Sequence, residues 1–183
     1  MAGDGPVSLF TPHHVGVIVN DLEAAMDGYI ANFGYTFFQF EVNEGNARLS
    51  TGSSSFQLRM AIGQLGLNLL ELIQPVSGDT LYSRRLGEQG PGLHHLAFSV
   101  TDLAAARSQF DASGYDCLQN GSIQGLVDFS YYDAQELGCT VEPLQLSCDL
   151  MGFLLKNARP HQGNRPEMQS SSHVPPTLPK TPV

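Results

Sequence analysis

Short apolar runs alternate with polar breaks along the chain, and the period of the apolar positions changes from run to run. Residues 15–19 (Val-Gly-Val-Ile-Val) and 96–100 (Leu-Ala-Phe-Ser-Val) are rich in β-branched and other apolar side chains, which predicts buried strands. A polar pair follows each run, Asn20-Asp21 or Thr101-Asp102, and both suit a helix N-cap. Leu22, Ala25, Met26, Tyr29 and Ile30 then recur at helical spacing, as do Leu103, Ala106 and Phe110. Gly34 and Gly114 suit the helix ends. Strand patterns cover 36–42, 56–62 and 67–73 in the first half and, more weakly, 117–118, 127–132 and 139–146 in the second. A short helix is expected over 80–87 and a closing helix over 150–155.

The two halves repeat one another. His13-His-Val-Gly-Val-Ile-Val-Asn-Asp-Leu-Glu-Ala-Ala returns as His94-His-Leu-Ala-Phe-Ser-Val-Thr-Asp-Leu-Ala-Ala-Ala, with seven of thirteen positions identical. Each copy then reaches a Gly-Tyr pair, Gly34-Tyr35 or Gly114-Tyr115. A separation of ~80 residues is too long for a solenoid unit and indicates two duplicated modules. The expected organisation is a first strand–helix–three-strand module over 8–75 and a linker over 76–91. A second module with a closing helix covers 92–156, and a flexible Pro/Ser-rich tail covers 157–183.

Composition narrows the classes of function. Hydrophobic residues make up 42% of the 183 positions, as a chain with a buried core requires. Acids outnumber bases 18 to 9, for a net charge of −9, and the bases are scattered, which argues against nucleic acid as a partner. No apolar run approaches the roughly 18 residues that span a bilayer. The opening Met-Ala-Gly-Asp-Gly-Pro lacks the basic start of a signal peptide, so a cytoplasmic location is expected. Cys117, Cys139 and Cys148 are odd in number and lack CxxC spacing. They are read as small buried hydrophobes, not as a disulfide framework or a thiolate zinc site.

The residues able to carry chemistry follow the repeat. Each module opens on a His-His pair, and strand alternation predicts that the two rings of a pair face opposite sides of the sheet. Glu71 and Glu142 interrupt apolar strands, and each is followed three positions later by a glutamine, Gln74 or Gln145. Burying two carboxylates is costly unless a cation offsets them. His14, Glu71, His95 and Glu142 together make a two-nitrogen, two-carboxylate set suited to Zn²⁺, Co²⁺, Ni²⁺, Fe²⁺, Mn²⁺ or Mg²⁺. Arg48 and Arg59, in or beside strand patterns of the first module, are candidate substrate-binding residues, because guanidinium forks suit carboxylate and phosphate. Glu41 and Glu44 are weaker candidates for a second base and read better as solvated surface.

Four stretches carry a family resemblance: His13-His-Val-Gly-Val-Ile-Val-Asn-Asp-Leu, Leu70-Glu-Leu-Ile-Gln-Pro, Gly92-Leu-His-His-Leu-Ala-Phe-Ser-Val-Thr-Asp-Leu and Gly138-Cys-Thr-Val-Glu-Pro. Over residues 12–146 the chain resembles the vicinal oxygen chelate superfamily, which includes glyoxalase I, methylmalonyl-CoA epimerase, extradiol dioxygenases and bleomycin-resistance proteins. It looks closest to the methylmalonyl-CoA epimerase group, and the two-carboxylate ligand set is shared with glyoxalase I. The resemblance implies an α+β fold in which two βαβββ modules form a curved, mixed but mostly antiparallel sheet around a metal-binding cleft. It assigns the second histidine of each pair, His14 and His95, with Glu71 and Glu142, to a divalent metal. It implies an isomerase, epimerase or lyase that abstracts a proton beside a carbonyl through a metal-stabilised enediolate, with Glu142 or Glu71 as the base and Glu142 favoured. The implied substrate is an acyl-CoA, a 2-oxo compound or a glutathione adduct, and the implied assembly is a homodimer. The competing readings are a glyoxalase I-like lactoylglutathione lyase, a ring-cleaving dioxygenase and a metal-free small-molecule-binding or resistance protein. A second glutamate ligand at Glu71 speaks against the dioxygenase, and the presence of all four ligands speaks against the metal-free type. The chain departs from the epimerase pattern at Tyr131-Tyr132-Asp133, where a histidine-containing segment is usual, and in its extra C-terminal tail. Its net charge of −9 also gives no long-range attraction for an anionic coenzyme.

Overall fold

A computed structural model describes residues 10–161 and 163. The first module runs β1 (Thr11–Ile18), α1 (Leu22–Phe33), β2 (Phe37–Leu49), β3 (Gly52–Leu65) and β4 (Asn68–Ser77). The second runs β5 (Gly92–Ser99), α3 (Leu103–Ala112), β6 (Cys117–Ile123), β7 (Val127–Ala134) and β8 (Cys139–Leu146). Helix α2 (Leu81–Gln89) links the two, and α4 (Leu150–Asn157) with the short β9 (Arg159–His161) closes the described chain. This is the paired βαβββ arrangement expected from the repeat.

The strands form one sheet in the order β3-β4-β1-β5-β8-β7-β6-β2-β9, and β2 also pairs with β3, so eight strands close on themselves. Only β1–β4 and β5–β8 are parallel. The modules meet at two antiparallel seams, β1–β5 and β2–β6. The β2–β3 hairpin runs well past the apolar run that marked it, through Asn43, Glu44 and Asn46 and through Ser53 to Ser55. Ladder hydrogen bonds do not depend on side-chain polarity, so the polar part of this ribbon leaves little hydrophobic signal.

Local chemistry anchors each helix to the sheet. The carboxylates of Asp21 and Asp102 accept from the Ala24 and Ala105 N–H groups, as N-caps do. The Gln74 side-chain carbonyl accepts from Leu22 N–H at 3.0 Å, and that of Gln145 accepts from Leu103 N–H at 2.9 Å. The repeated Glu-x-x-Gln spacing therefore sends the glutamate to one face of the strand and the glutamine to the other, where it caps the helix packed there. Gln119 does the same for α2, accepting from Leu81 N–H at 2.8 Å. Gly34 ends α1 with a left-handed φ of 70°, which a residue without Cβ adopts freely.

The largest apolar cluster joins both modules and includes Ile18, Phe56, Leu58, Ile73, Tyr82, Phe129, Tyr131 and Leu144. A second lies under α1 and a small third under α3. Strand β4 is buried from Leu70 to Ile73, which explains an apolar run broken only by Glu71.

Two expectations are corrected. Cys117 and Cys148 are exposed and Cys139 is half-buried, so the cysteines are not core residues; Cys117 opens a strand and Cys148 sits in a turn. The start of the expected tail is ordered: Asn157 ends α4, and β9 pairs Arg159, Pro160 and His161 with Gln39, Phe38 and Phe37. The His161 ring also pairs with Asp27 of α1 at 2.8 Å. The rest of the tail, save Gly163, lies outside the described residues. Among the described residues no helix is long and apolar enough to cross a membrane.

Candidate metal centre

The parallel pairs β1–β4 and β5–β8 bring four polar side chains to the middle of the closed sheet. His14 stands opposite Leu69 on β4 and Ala97 on β5; His95 stands opposite Gly16 on β1 and Thr140 on β8. Glu71 and Glu142 arrive from β4 and β8. All four are buried, with exposures of 7% (His14), 9% (Glu71), 0% (His95) and 5% (Glu142). Burial of this much charge requires compensation.

Their donor atoms face one another. His14 Nε2 lies 2.9 Å from His95 Nε2. It lies 3.2 Å from Glu71 Oε2 and 3.3 Å from Glu142 Oε2. His95 Nε2 lies 3.6 Å from Glu71 Oε2 and 3.1 Å from Glu142 Oε2. Each nitrogen carries at most one hydrogen, so these five contacts cannot all be hydrogen bonds. Glu142 Oε2 is buried with no hydrogen-bond partner. Ligand atoms about 2.0–2.2 Å from one divalent ion lie roughly 2.8–3.6 Å apart when tetrahedral or at right angles, the range these contacts span. His14, Glu71 and His95 each offer a ligand atom within 4.8 Å of the others, a cluster able to hold a metal ion. Glu142 lies outside that cluster of three but contacts both imidazoles, and two carboxylates would balance a +2 charge.

The electrostatics agree. Burial alone would depress His14, but Glu71 and Glu142 beside it raise its pKa to about 10. Burial pushes Glu142 up, yet His95 and His14 outweigh this and hold it well below the usual carboxylate range.

The leading histidine of each pair contradicts simple alternation. Register shifts interrupt the β1–β5 ladder between Pro12 and His14 and between Gly16 and Val17, the latter opposite His95 and Leu93. His13 and His94 are the unpaired residues of these bulges, and a bulge re-aims its side chain. Both therefore turn toward their neighbours: His13 Nδ1 lies 2.8 Å from His14 Nδ1, and His94 Nδ1 lies 2.8 Å from His95 Nδ1. Burial, helped by the adjacent imidazole, lowers His13 and drives His94 down to about 3, so both stay neutral. A neutral ring can accept the Nδ1–H of the ligand histidine and leave that histidine's Nε2 lone pair facing the ion. The His-His repeat was a visible sign of this role, but strand alternation pointed the leading ring the wrong way.

Tyr82 and Tyr131 were also missed. Their buried hydroxyls pair at 2.8 Å, and the Tyr131 ring lies 5.1 Å from that of His95. Tyr82 comes from the linker helix, so no strand pattern flagged it. Both tyrosines, His13, His14, Glu71 and Glu142 line a cavity of about 250 Å³. Arg59 and Arg48 do not line it. Arg59 donates to Glu23, at 2.9 Å in one of two bonds, and lines a separate hollow with Gln39 and Glu41. Arg48 lines another with Asn46 and Asp128. Glu41 also faces the Arg59 hollow, and Glu44 is exposed.

The sequence of residues 13–131 matches the model of the Glyoxalase/Bleomycin resistance protein/Dioxygenase superfamily. No curated protein sequence matches the chain. Among solved structures, a hypothetical protein from Bacillus halodurans is similar with a TM-score of 0.58 at 15% identity, over 75% of this chain and 95% of that one. The methylmalonyl-CoA epimerase from Mycobacterium tuberculosis gives 0.55 at 20% identity, over 83% and 97%. A Streptomyces coelicolor methylmalonyl-CoA epimerase in complex with 2-nitronate-propionyl-CoA gives 0.54 at 22% identity, over 77% and 100%. At these identities the likeness is one of fold.

Proposed function

The chain belongs to the glyoxalase/bleomycin resistance protein/dioxygenase superfamily, and from that premise we propose that it is a divalent-metal-dependent isomerase or epimerase acting on a carbon acid beside a carbonyl. The observation that supports this reading is the buried cluster of His14, His95 and Glu71, with Glu142 Oε2 within 3.3 Å of both imidazoles. In it, all four residues hold the ion, as His14, Glu71 and His95 are spaced to do. When bound, the ion supplies Lewis-acid stabilisation of the negative charge that develops on the substrate's carbonyl oxygen.

The chain's own residues do the rest. Glu142, ionised by its imidazole neighbours, takes the α-proton at a carboxylate oxygen and returns it. Glu71, on the opposite module, is the second candidate, and a two-base epimerisation would use both. His13 and His94 keep the ligand imidazoles in the tautomer that leaves Nε2 free. The surrounding apolar walls exclude water, which strengthens each electrostatic contact. The substrates that the family resemblance brings, an acyl thioester, a 2-oxo compound or a glutathione hemithioacetal, all carry such a carbon acid. A homodimer is the assembly proposed with it.

A ring-cleaving dioxygenase is the second reading, because His14, His95 and Glu71 alone make a two-histidine, one-carboxylate set. Glu142 separates the two: as a fourth ligand and base it serves proton transfer, and a dioxygenase has no need of it. The test is to load the protein with Zn²⁺, Co²⁺, Ni²⁺, Mn²⁺ or Fe²⁺ and incubate it in deuterium oxide with each substrate class. Exchange of the α-proton, lost in Glu142→Gln, supports the isomerase. Absence of exchange with all classes, with dioxygen consumed on catechols by the Fe²⁺ form, would overturn it.

A further inference from the structure

We propose that the part of the substrate seated beside the His–Glu cluster is a compact, uncharged hydrocarbon or aromatic body carrying the oxygens that face the ion. This rests on the reading that His14, Glu71, His95 and Glu142 hold a divalent ion. The cavity volume of about 250 Å³ exceeds the ~150 Å³ that accommodates a benzene molecule, leaving room for one ring and a few further atoms. Its walls include Met60 and Ile62 from β3, Phe129 from β7 and Leu144 from β8. Leu150 and Phe153 of α4 line it as well, and Phe153 packs edge-on against Phe40 of β2 at a centroid distance of 6.4 Å. Helix α4 and β9 thus carry the chain from the end of β8 across to β2, spanning the two modules beside the cavity.

No lysine or arginine is among the described residues that line this cavity. A free carboxylate or phosphate held there would lose its water beside Glu71 and Glu142 and gain no cation in return beyond the shared ion. The nearby guanidiniums are engaged or elsewhere, Arg59 on Glu23 and Arg48 in its own hollow. The neutral polar handle is the Tyr82–Tyr131 pair. It carries two hydroxyl hydrogens, its 2.8 Å bond uses one, and among the described residues the other meets no acceptor. A neutral donor in an apolar chamber suits an oxygen or ether of an uncharged body, the pattern of a specific small-molecule pocket.

Three hydroxamates test this, because each offers the same pair of oxygens to the ion and they differ only in the body. The Zn²⁺-loaded full chain, with zinc content measured first, is titrated calorimetrically with acetohydroxamate, benzohydroxamate and 4-carboxybenzohydroxamate. The expected result is at least about tenfold tighter binding of benzohydroxamate than of acetohydroxamate, from burial of the ring. The added carboxylate should cost at least about tenfold again. Leu150→Arg, at a half-buried position where the longer side chain can reach water, should selectively restore the carboxylated compound by about tenfold. Equal binding of the acetyl and benzoyl compounds would overturn the proposal while leaving the metal reading intact, and so would unimpaired binding of the carboxylated one. A chain that takes up no zinc overturns the metal reading and the proposal with it.

Discussion

On the outer side of the first module, α1 buries Leu22, Met26 and Ile30 against Phe37, Leu70 and Leu72. On the outer side of the second, α3 buries Leu103 and Ala106 with Val100, and Phe10 packs alongside. Ring contacts supply much of the rest there, with Phe110 stacked on Tyr132 at 4.4 Å. The inner sides differ far less. Each gives a bulged histidine, a buried histidine and a buried glutamate at matching places, and on the opposite face each strand carries a helix-capping glutamine. Packing an outer face requires apolar volume, which many side-chain combinations supply. A metal centre of the proposed kind requires particular atoms in particular places, and the repeat is closest there.

Removing a donor from either inner side tests this parity with the largest effect. His95→Ala and Glu142→Gln are each expected to lower zinc affinity by at least about 100-fold and to abolish turnover, as measured by competition with a chromophoric chelator. His14→Ala and Glu71→Gln should match them; unchanged affinity in either member of a pair breaks the equivalence of the modules.

The next test uses a small asymmetry. Gly16 faces His95, whereas the corresponding residue of the second module is Ala97, opposite His14. A Cβ on Gly16 would come within 2.0 Å of the His95 ring, so Gly16→Ala should displace that imidazole and lower zinc affinity nearly as far as His95→Ala. Ala97→Gly opens space and should leave affinity within about threefold, at a cost near ~1 kcal/mol in stability. Wild-type zinc binding by Gly16→Ala would show that the ring has room to yield.

Stability should expose the outer difference. Leu22→Ala removes a side chain from the larger cluster and is expected to lie near the top of the ~2–5 kcal/mol range for buried leucine. Leu103→Ala, in the sparse cluster beside a surface hollow, should lie near the bottom. Urea denaturation of the two variants measures the gap, and equal losses would remove it. The bulged histidines come next. His94 is wedged against Tyr82 and Tyr131 at 5.4 and 5.3 Å, so His94→Phe should weaken zinc binding toward ~100-fold. Among the described residues His13 has a single ring neighbour, His14, and His13→Phe should cost nearer ~10-fold. Smallest of all, Arg59→Ala should change stability by no more than about 1 kcal/mol, because its pair with Glu23 is partly exposed, and should leave zinc affinity unchanged.

The repeat made the paired βαβββ order legible, because strand runs and Asp-Leu caps recur at matching places, and it singled out the two glutamates that the strands bury. What escaped reading depended on partners distant in sequence. The bulges at His13 and His94 exist only in the β1–β5 seam, so the side to which each leading ring turns had no local signal. Tyr82 reaches the site because Gln119, on β6, caps the start of its helix. Arg48 and Arg59 have the chemistry of anion binding, yet their strands place them at other hollows. The polar ends of β2 and β3 formed strands without any apolar alternation to announce them.

X-ray absorption at the zinc edge of the loaded protein addresses the shared ion most directly. Two imidazole nitrogens and two or more oxygens at about 2.0–2.2 Å are expected, and one imidazole should vanish from the spectrum in His95→Ala. A shell containing sulfur, or one made of oxygens alone and unaltered by that substitution, would contradict a centre built from both modules.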